Sequence, residues 1–159
     1  AQSYARIHQI KDVMTVGEGM GGYGAILFAG ALGASSSLSF SAQYSADPRV
    51  VPEDDRWMDY REKITHFTRP PRETVLSAEC TYFAVHADND RDKPHWSRFP
   101  KDAQVSHYLA GQADHALSRK MEAAGKLNAV VHCAILGRPV AFRRSLKSVF
   151  KNLAQMDNA

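Results

Sequence analysis

The sequence predicts an α/β domain, a three-layer sandwich in which helices cover both faces of a mainly parallel sheet. Three observations predict it. Segments of strand character alternate along the chain with segments of helical spacing, the order that parallel strands joined by helical crossovers require. The first strand candidate runs straight into a glycine cluster and then an apolar helical segment, "VMTVGEGMGGYGAILFAGALGA", residues 13–34. The chain of 159 residues, 44% apolar, is the length of one domain with a real core, so a single domain over 1–159 is expected.

The elements follow in order. "DVMTV" (12–16) is a short buried strand. "GGYGAILFAGALG" (21–33) places Ile26, Leu27, Ala29, Gly30 and Leu32 near one helical face, and Gly33 stops it. "SSLSFSAQYS" (36–45) alternates Leu38, Phe40 and Ala42 with serines and predicts a strand. Residues 46–63, rich in proline and charge, predict a loop with irregular helix. "LSAECTYFAVHA" (76–87) is a third strand, closed by the polar run 88–102, and "AQVSHYLAG" (103–111) is a fourth. Helices are predicted over 114–127, over 128–137 up to Gly137, and over 139–156 behind Pro139, the last amphipathic. Four strands make a small sheet with an exposed edge, which a partner segment or chain would cover.

Bulk properties narrow the function. Twenty basic against 17 acidic residues leave a net charge of +3, too little to argue for nucleic acid. The longest apolar run, residues 25–32, is far short of a membrane span. The opening "AQSYARIHQIKD" lacks the basic-then-apolar pattern of a signal peptide. Cys80 and Cys133 form no CxxC pair and read as buried thiols in a reducing compartment, with one disulfide as the alternative, so a cytoplasmic location is expected.

The glycine cluster admits two chemistries. Gly17, Gly19 and Gly22 satisfy G-x-G-x-x-G between a strand and a helix, where free helix N–H groups hold the pyrophosphate of a dinucleotide. That motif wants a carboxylate closing the second strand, about 20 residues on. Here the strand closes Ser41-Ala42-Gln43-Tyr44, and Asp47 lies beyond it. The other chemistry is a sharp strand-to-helix turn that displays a nucleophile.

"GEGMGGYGA" resembles the G-x-S-x-G nucleophile elbow of the α/β-hydrolase superfamily, particularly its serine esterases and lipases whose elbow continues Met-Gly-Gly-Tyr. Gly17 and Gly21 match the flanking glycines, and Met20 matches the residue whose N–H would stabilise the oxyanion. Gly19 stands where the nucleophilic serine belongs. "YFAVHADNDRD" is similar to the segment carrying the triad acid, with Asp90 the better match and Asp88 the alternate. "LAGQADHALSRKM" is similar to the loop presenting the triad histidine, His115. Elbow, acid and histidine come in the family's order. The resemblance runs from Val13 onward and covers the C-terminal half of that fold, so it implies a partial α/β-hydrolase fold without the early strands. It also implies a small acyl or ester ligand, no cofactor, and little or no activity for want of the serine hydroxyl, with an active carboxylic-ester or acyl hydrolase of the family as the alternative.

The other polar candidates have plainer readings. Glu18 beside the seat is a structural or solvent-facing residue, because a neighbour on a tight elbow points elsewhere. His115 could also be a helix-start residue behind an Asp114 cap. Asp88, Asp90 and Asp92 alternate like a calcium loop, but Lys93 and Phe99 hold the positions where an EF-hand needs Gly and Glu. His86, Asp90 and His95 are metal-ligand types on a loop that reads as solvated, so no metal is expected. Trp57 and Trp96 either line a pocket mouth or pack on the sheet. Arg138, Arg143, Arg144, Lys147 and Lys151 form the basic face of the last helix, usually solvated, with an anionic partner or a membrane surface as the sharper alternative.

Overall fold

The computed structural model describes residues 2–67, 76–99, 101 and 104–156. Asp102 and Ala103, where the predicted polar run meets the fourth strand, lie outside the described residues. The chain opens with helix α1 (Gln2–Ile7), strand β1 (Met14–Glu18), helix α2 (Met20–Leu32) and strand β2 (Ser36–Phe40). Helix α3 (Met58–Arg61), strand β3 (Thr81–Asp88), helix α4 (Lys93–Trp96) and strand β4 (Val105–Gly111) follow. Helices α5 (Leu117–Ala123), α6 (Leu127–Ile135) and α7 (Pro139–Lys147) and strand β5 (Leu153–Gln155) complete the described chain.

The fold is α/β. Its five-stranded sheet has the order β1-β2-β3-β4-β5, with the first four strands parallel and β5 antiparallel to β4. Successive side chains of a strand face opposite sides, and β3 divides its residues accordingly. Tyr82 and Ala84 pack with Ile26 and Ala29 of α2. Phe83 and Val85 pack with Leu117, Met121, Val130 and Phe142 from α5, α6 and α7. Helices therefore flank both faces. The Phe83 and Phe142 rings meet at 4.5 Å between centroids. Because β1 to β4 run parallel, their C-terminal ends lie together, where open α/β sheets place their ligands.

Several elements depart from expectation. The segment 139–156 is not one helix: α7 stops at Lys147, Phe150 is buried in the turn, and 153–155 pair with β4 as a fifth strand. Six residues near the start form α1, which the sequence did not suggest. The second strand ends at Phe40, and residues 41–45 stay buried without strand pairing. The helix predicted over 114–127 forms only from Leu117, because His115 is held in a bend. At the other edge, β1 has no second partner strand among the described residues, and mid-strand Val16 is 55% exposed.

Candidate functional site

The turn after β1 is pinned on both sides. Gly19 N–H donates to the Phe40 carbonyl at 2.9 Å, and its own carbonyl accepts from Tyr23 N–H and Gln43 N–H at 3.1 and 3.2 Å. These bonds hold Gly19 at φ 57°, ψ −120°, a conformation strained for any residue with a side chain. Of the neighbouring glycines, Gly17 and Gly22 are closed against protein, whereas a Cβ on Gly21 would meet nothing within 4 Å. A Cβ on Gly17 would overlap the Gly21 carbonyl, and one on Gly22 would press on Ala42 at 3.1 Å. A Cβ on Gly19 would instead meet His115 Nε2 at 3.1 Å and Cε1 at 3.7 Å. Met20 opens α2 directly after this seat, and its N–H, like the first N–H groups of any helix, has no intrahelical acceptor.

His115 reaches the seat from the turn after β4. Its Nδ1 lies 2.8 Å from Asp92 Oδ1, so Nδ1 carries the proton and Nε2 turns a lone pair toward Gly19. The histidine's carboxylate is thus that of Asp92, and neither Asp90 nor Asp88 makes this contact. Asp88 is the exposed last residue of β3, and Asp90 is exposed on the turn beyond it. Asn89 explains the offset. Its Oδ1 accepts from Arg91 N–H and Asp92 N–H at 3.0 and 2.9 Å, a side-chain turn that bends the chain back. Its Nδ2 donates to Asp92 Oδ2 and the Ala113 carbonyl, both at 3.1 Å, tying the acid's loop to the histidine's loop.

Beneath the pair lies a buried charge network. Arg56 Nη1 donates to Asp92 Oδ1 at 3.1 Å, and its Nε donates to Asp54 Oδ1 at 2.6 Å. Asp54 Oδ2 also accepts from His95 Nε2 at 2.9 Å, while His95 Nδ1 accepts from Tyr44 N–H at 3.0 Å. His95 is therefore neutral and locked between a carboxylate and the backbone. Arg61 donates to the carbonyls of Asp54, Ala46 and Arg56. Burial pushes the Asp92 carboxyl up. The hydrogen bond and charge of His115, then Asn89 and Arg56, outweigh it and hold the group below its ordinary value. Asp54 is likewise lowered against burial by its bonds to His95 and Arg56.

An opening of about 470 Å³ borders His115, lined also by Asp55, Arg56, Trp57 and Arg91. Trp57 stands at its mouth, half exposed and held at φ 54°. Trp96 is half-buried and packs inside. Glu18 does not join the site: its carboxylate accepts from Ser118 N–H at 3.0 Å and Ser118 Oγ at 2.6 Å, fastening β1 to α5. His86, Asp90 and His95 do not converge. His86 faces His107 across β3 and β4 at 3.2 Å, and no group of three or more metal-ligand residues occurs among the described residues.

The arrangement brings together three of the four predicted positions, Gly19, Met20 and His115, and replaces the fourth, Asp90, with Asp92. Sequence reasoning missed Asn89, Arg56 and Asp54. A sequence signal for Asp92 exists: Asn89 stands three residues before it, and Lys93-Pro94 after it marks a helix start. Chemically, the site holds an imidazole oriented by a carboxylate and facing a position with no side chain. Among the described residues no helix is long and apolar enough to cross a membrane. No family model, curated protein or solved structure matches this chain.

Proposed function

We propose that this chain is an α/β-hydrolase-type domain, related to serine esterases, that binds a small acyl or ester ligand and hydrolyses it slowly or not at all. One observation carries the reading: the Cβ position of Gly19 lies 3.1 Å from His115 Nε2, and Asp92 holds the far side of that imidazole at 2.8 Å. This is the relation of nucleophile, base and orienting acid in a triad, without the nucleophile's hydroxyl.

The chemistry follows from the missing atom. Glycine cannot form an acyl-enzyme. Any turnover is a single displacement in which His115 Nε2 takes a proton from water and the hydroxide attacks the ester carbonyl. Met20 N–H then donates to the oxyanion, and the imidazolium returns the proton to the departing alkoxide. Asp92 holds Nδ1–H throughout. Triads stripped of a member retain roughly 10³–10⁴-fold acceleration over water, and that figure is the ceiling here. The outer edge of β1, which no described strand covers, is where a partner segment or chain would pair. The two free thiols, Cys80 buried and Cys133 half-buried, support a cytoplasmic setting.

Dinucleotide binding is the weaker reading. Gly17 and Gly22 are closed against Gly21 and Ala42 rather than open to a pyrophosphate, and Asp47, the nearest later acid, is bound by Arg49 at 2.7 Å. Rapid mixing with p-nitrophenyl acetate separates the readings. Product release without a burst is expected, either at the buffer rate or linearly above it and falling to the buffer rate in His115→Ala. A burst of acyl-enzyme, or turnover indifferent to His115→Ala, refutes the proposed site.

A further inference from the structure

A second feature lies along the opposite edge of the sheet. Val140, Arg143, Arg144 and Lys147 recur at the spacing that puts them on one stripe of α7, while Phe142 and Leu146 face the core. The stripe walls a groove of about 380 Å³ whose other lining includes Tyr108 of β4 and Gln155 of β5. Residues 138–156 contain Arg138, Arg143, Arg144, Lys147 and Lys151 and no carboxylate. None of these five cations makes an ion pair with a described residue. The groove lining carries no acid either. Val140, 74% exposed, adds an apolar rim.

The floor of the groove ends at β5, whose outer side no described strand pairs. Gly111 N–H donates to the Asn152 carbonyl, and Met156 N–H donates to the His107 carbonyl. In the β4–β5 register, 111 with 152 and 107 with 156 are therefore hydrogen-bonded pairs, and so is 109 with 154. Leu153 and Gln155, which alternate with them, turn their N–H and C=O groups away from β4. Two donors and two acceptors thus face outward beside a row of cations that form no ion pair with a described residue.

We propose that this groove binds an extended acidic peptide segment of a partner protein, added to β5 as a further strand. The backbone of Leu153 and Gln155 supplies the pairing. Alternate side chains of the added strand, about 6.7 Å apart, fall on the α7 side of the sheet. The centre of the Arg143–Arg144 pair lies about 5 Å along the helix axis from Lys147, so acids at every second position meet both. The recognised chemistry is acid-x-acid in an extended chain. A concave groove bounded by a strand edge favours a peptide over a flat anionic membrane, and the groove presents no row of aromatic faces for nucleic-acid bases to stack on.

The test is fluorescence anisotropy with a labelled, alternating Thr-Glu octapeptide against the intact chain. Phosphatidylserine vesicles and single-stranded oligo-dT serve as competing probes. Binding of the peptide is expected, weakened roughly tenfold or more by Arg143→Glu, Arg144→Glu and Lys147→Glu together. A peptide N-methylated at every second amide loses the strand pairing and binds at least about tenfold more weakly. All three protein substitutions are at exposed positions, so the variant folds, and circular dichroism checks it. Absent peptide binding, equal binding of the N-methylated peptide, or tighter binding of vesicles or oligo-dT each overturns the proposal.

Discussion

Returning a hydroxyl to the seat is the most informative perturbation of the candidate site. Gly19→Ser places a Cβ where the structure leaves 3.1 Å to His115 Nε2, closer than ordinary van der Waals contact. The imidazole must retreat by a few tenths of an ångström. Its side chain is 37% exposed, so it has solvent to move toward. The φ 57°, ψ −120° backbone adds strain, which for a residue with a side chain costs about 1–3 kcal/mol. For a domain of this size that lowers Tm by roughly 2–12 °C, so the variant is less stable and still folded. The gain in rate follows from the parts now present. Losing a triad serine costs about 2 × 10⁶ in kcat where the rest of the machinery is complete. One missing oxyanion donor removes about 10²–10³, and Met20 N–H is the single donor identified here. Gly19→Ser should therefore hydrolyse p-nitrophenyl butyrate roughly 10³–10⁴-fold faster than the native chain. Spectrophotometric turnover, with a thermal melt on the same sample, measures both effects. A folded variant within tenfold of the native rate refutes the reasoning, because base, acid and hydroxyl would then be present without catalysis.

Three further outcomes are expected. In the Gly19→Ser background, Asp92→Asn lowers kcat by about 10⁴, because the amide no longer fixes the Nδ1–H tautomer; Asp90→Asn leaves it unchanged, and equal effects in steady-state assays would return the acid to Asp90. Arg56→Met strands the Asp54 and Asp92 carboxylates, each in contact with Arg56 at 3.1 Å or less. It should lower stability by about 3–5 kcal/mol in urea unfolding, whereas Arg91→Met, whose partner Asp55 is exposed and 3.8 Å away, changes it by less than about 1 kcal/mol. Burial, then the charge of His107, pushes the His86 imidazole from 6.5 down to about 3. The unfolded chain binds the extra proton between those values, so this contribution is complete above pH 6.5 and is lost as pH falls toward 3. Unfolding at pH 5 should cost about 2 kcal/mol less than at pH 7 on account of His86, and His86→Gln should flatten the profile by that amount; an unaltered slope contradicts it.

What the sequence revealed follows from how local each signal is. Strand alternation and the Gly33 stop are local, and β1, α2 and β3 form close to where they are predicted. Gly33 ends α2 by donating to the Gly30 carbonyl. The pairing of Gly19 with His115 spans most of the chain, yet the turn's residue pattern carried it. The acid did not emerge in the same way, because β3 runs on to Asp88 and the Asn89 turn then shifts the facing carboxylate to Asp92. The segment 46–63 reads as a loop with irregular helix from its prolines and charge, and helix α3 lies within it. The segment's Asp54, Arg56 and Arg61 are buried, since opposite charges brought together by the fold satisfy one another, and composition cannot register such a match. The last segment misled for the opposite reason. Apolar residues at 140, 142, 146, 149, 150 and 153 suit a single helix, and a three-residue edge strand leaves too little alternation to detect.

On the proposed reading, Gly19, His115 and Asp92 form a hydrolase triad that lacks only its hydroxyl. Intact-protein mass spectrometry after treatment with a fluorophosphonate tests it most directly, on the native chain and on Gly19→Ser in parallel. No adduct is expected on the native chain, and on the variant a single adduct is expected that maps to position 19 and disappears when His115→Ala is added. A stoichiometric adduct on the native chain, or none on a folded variant, contradicts it.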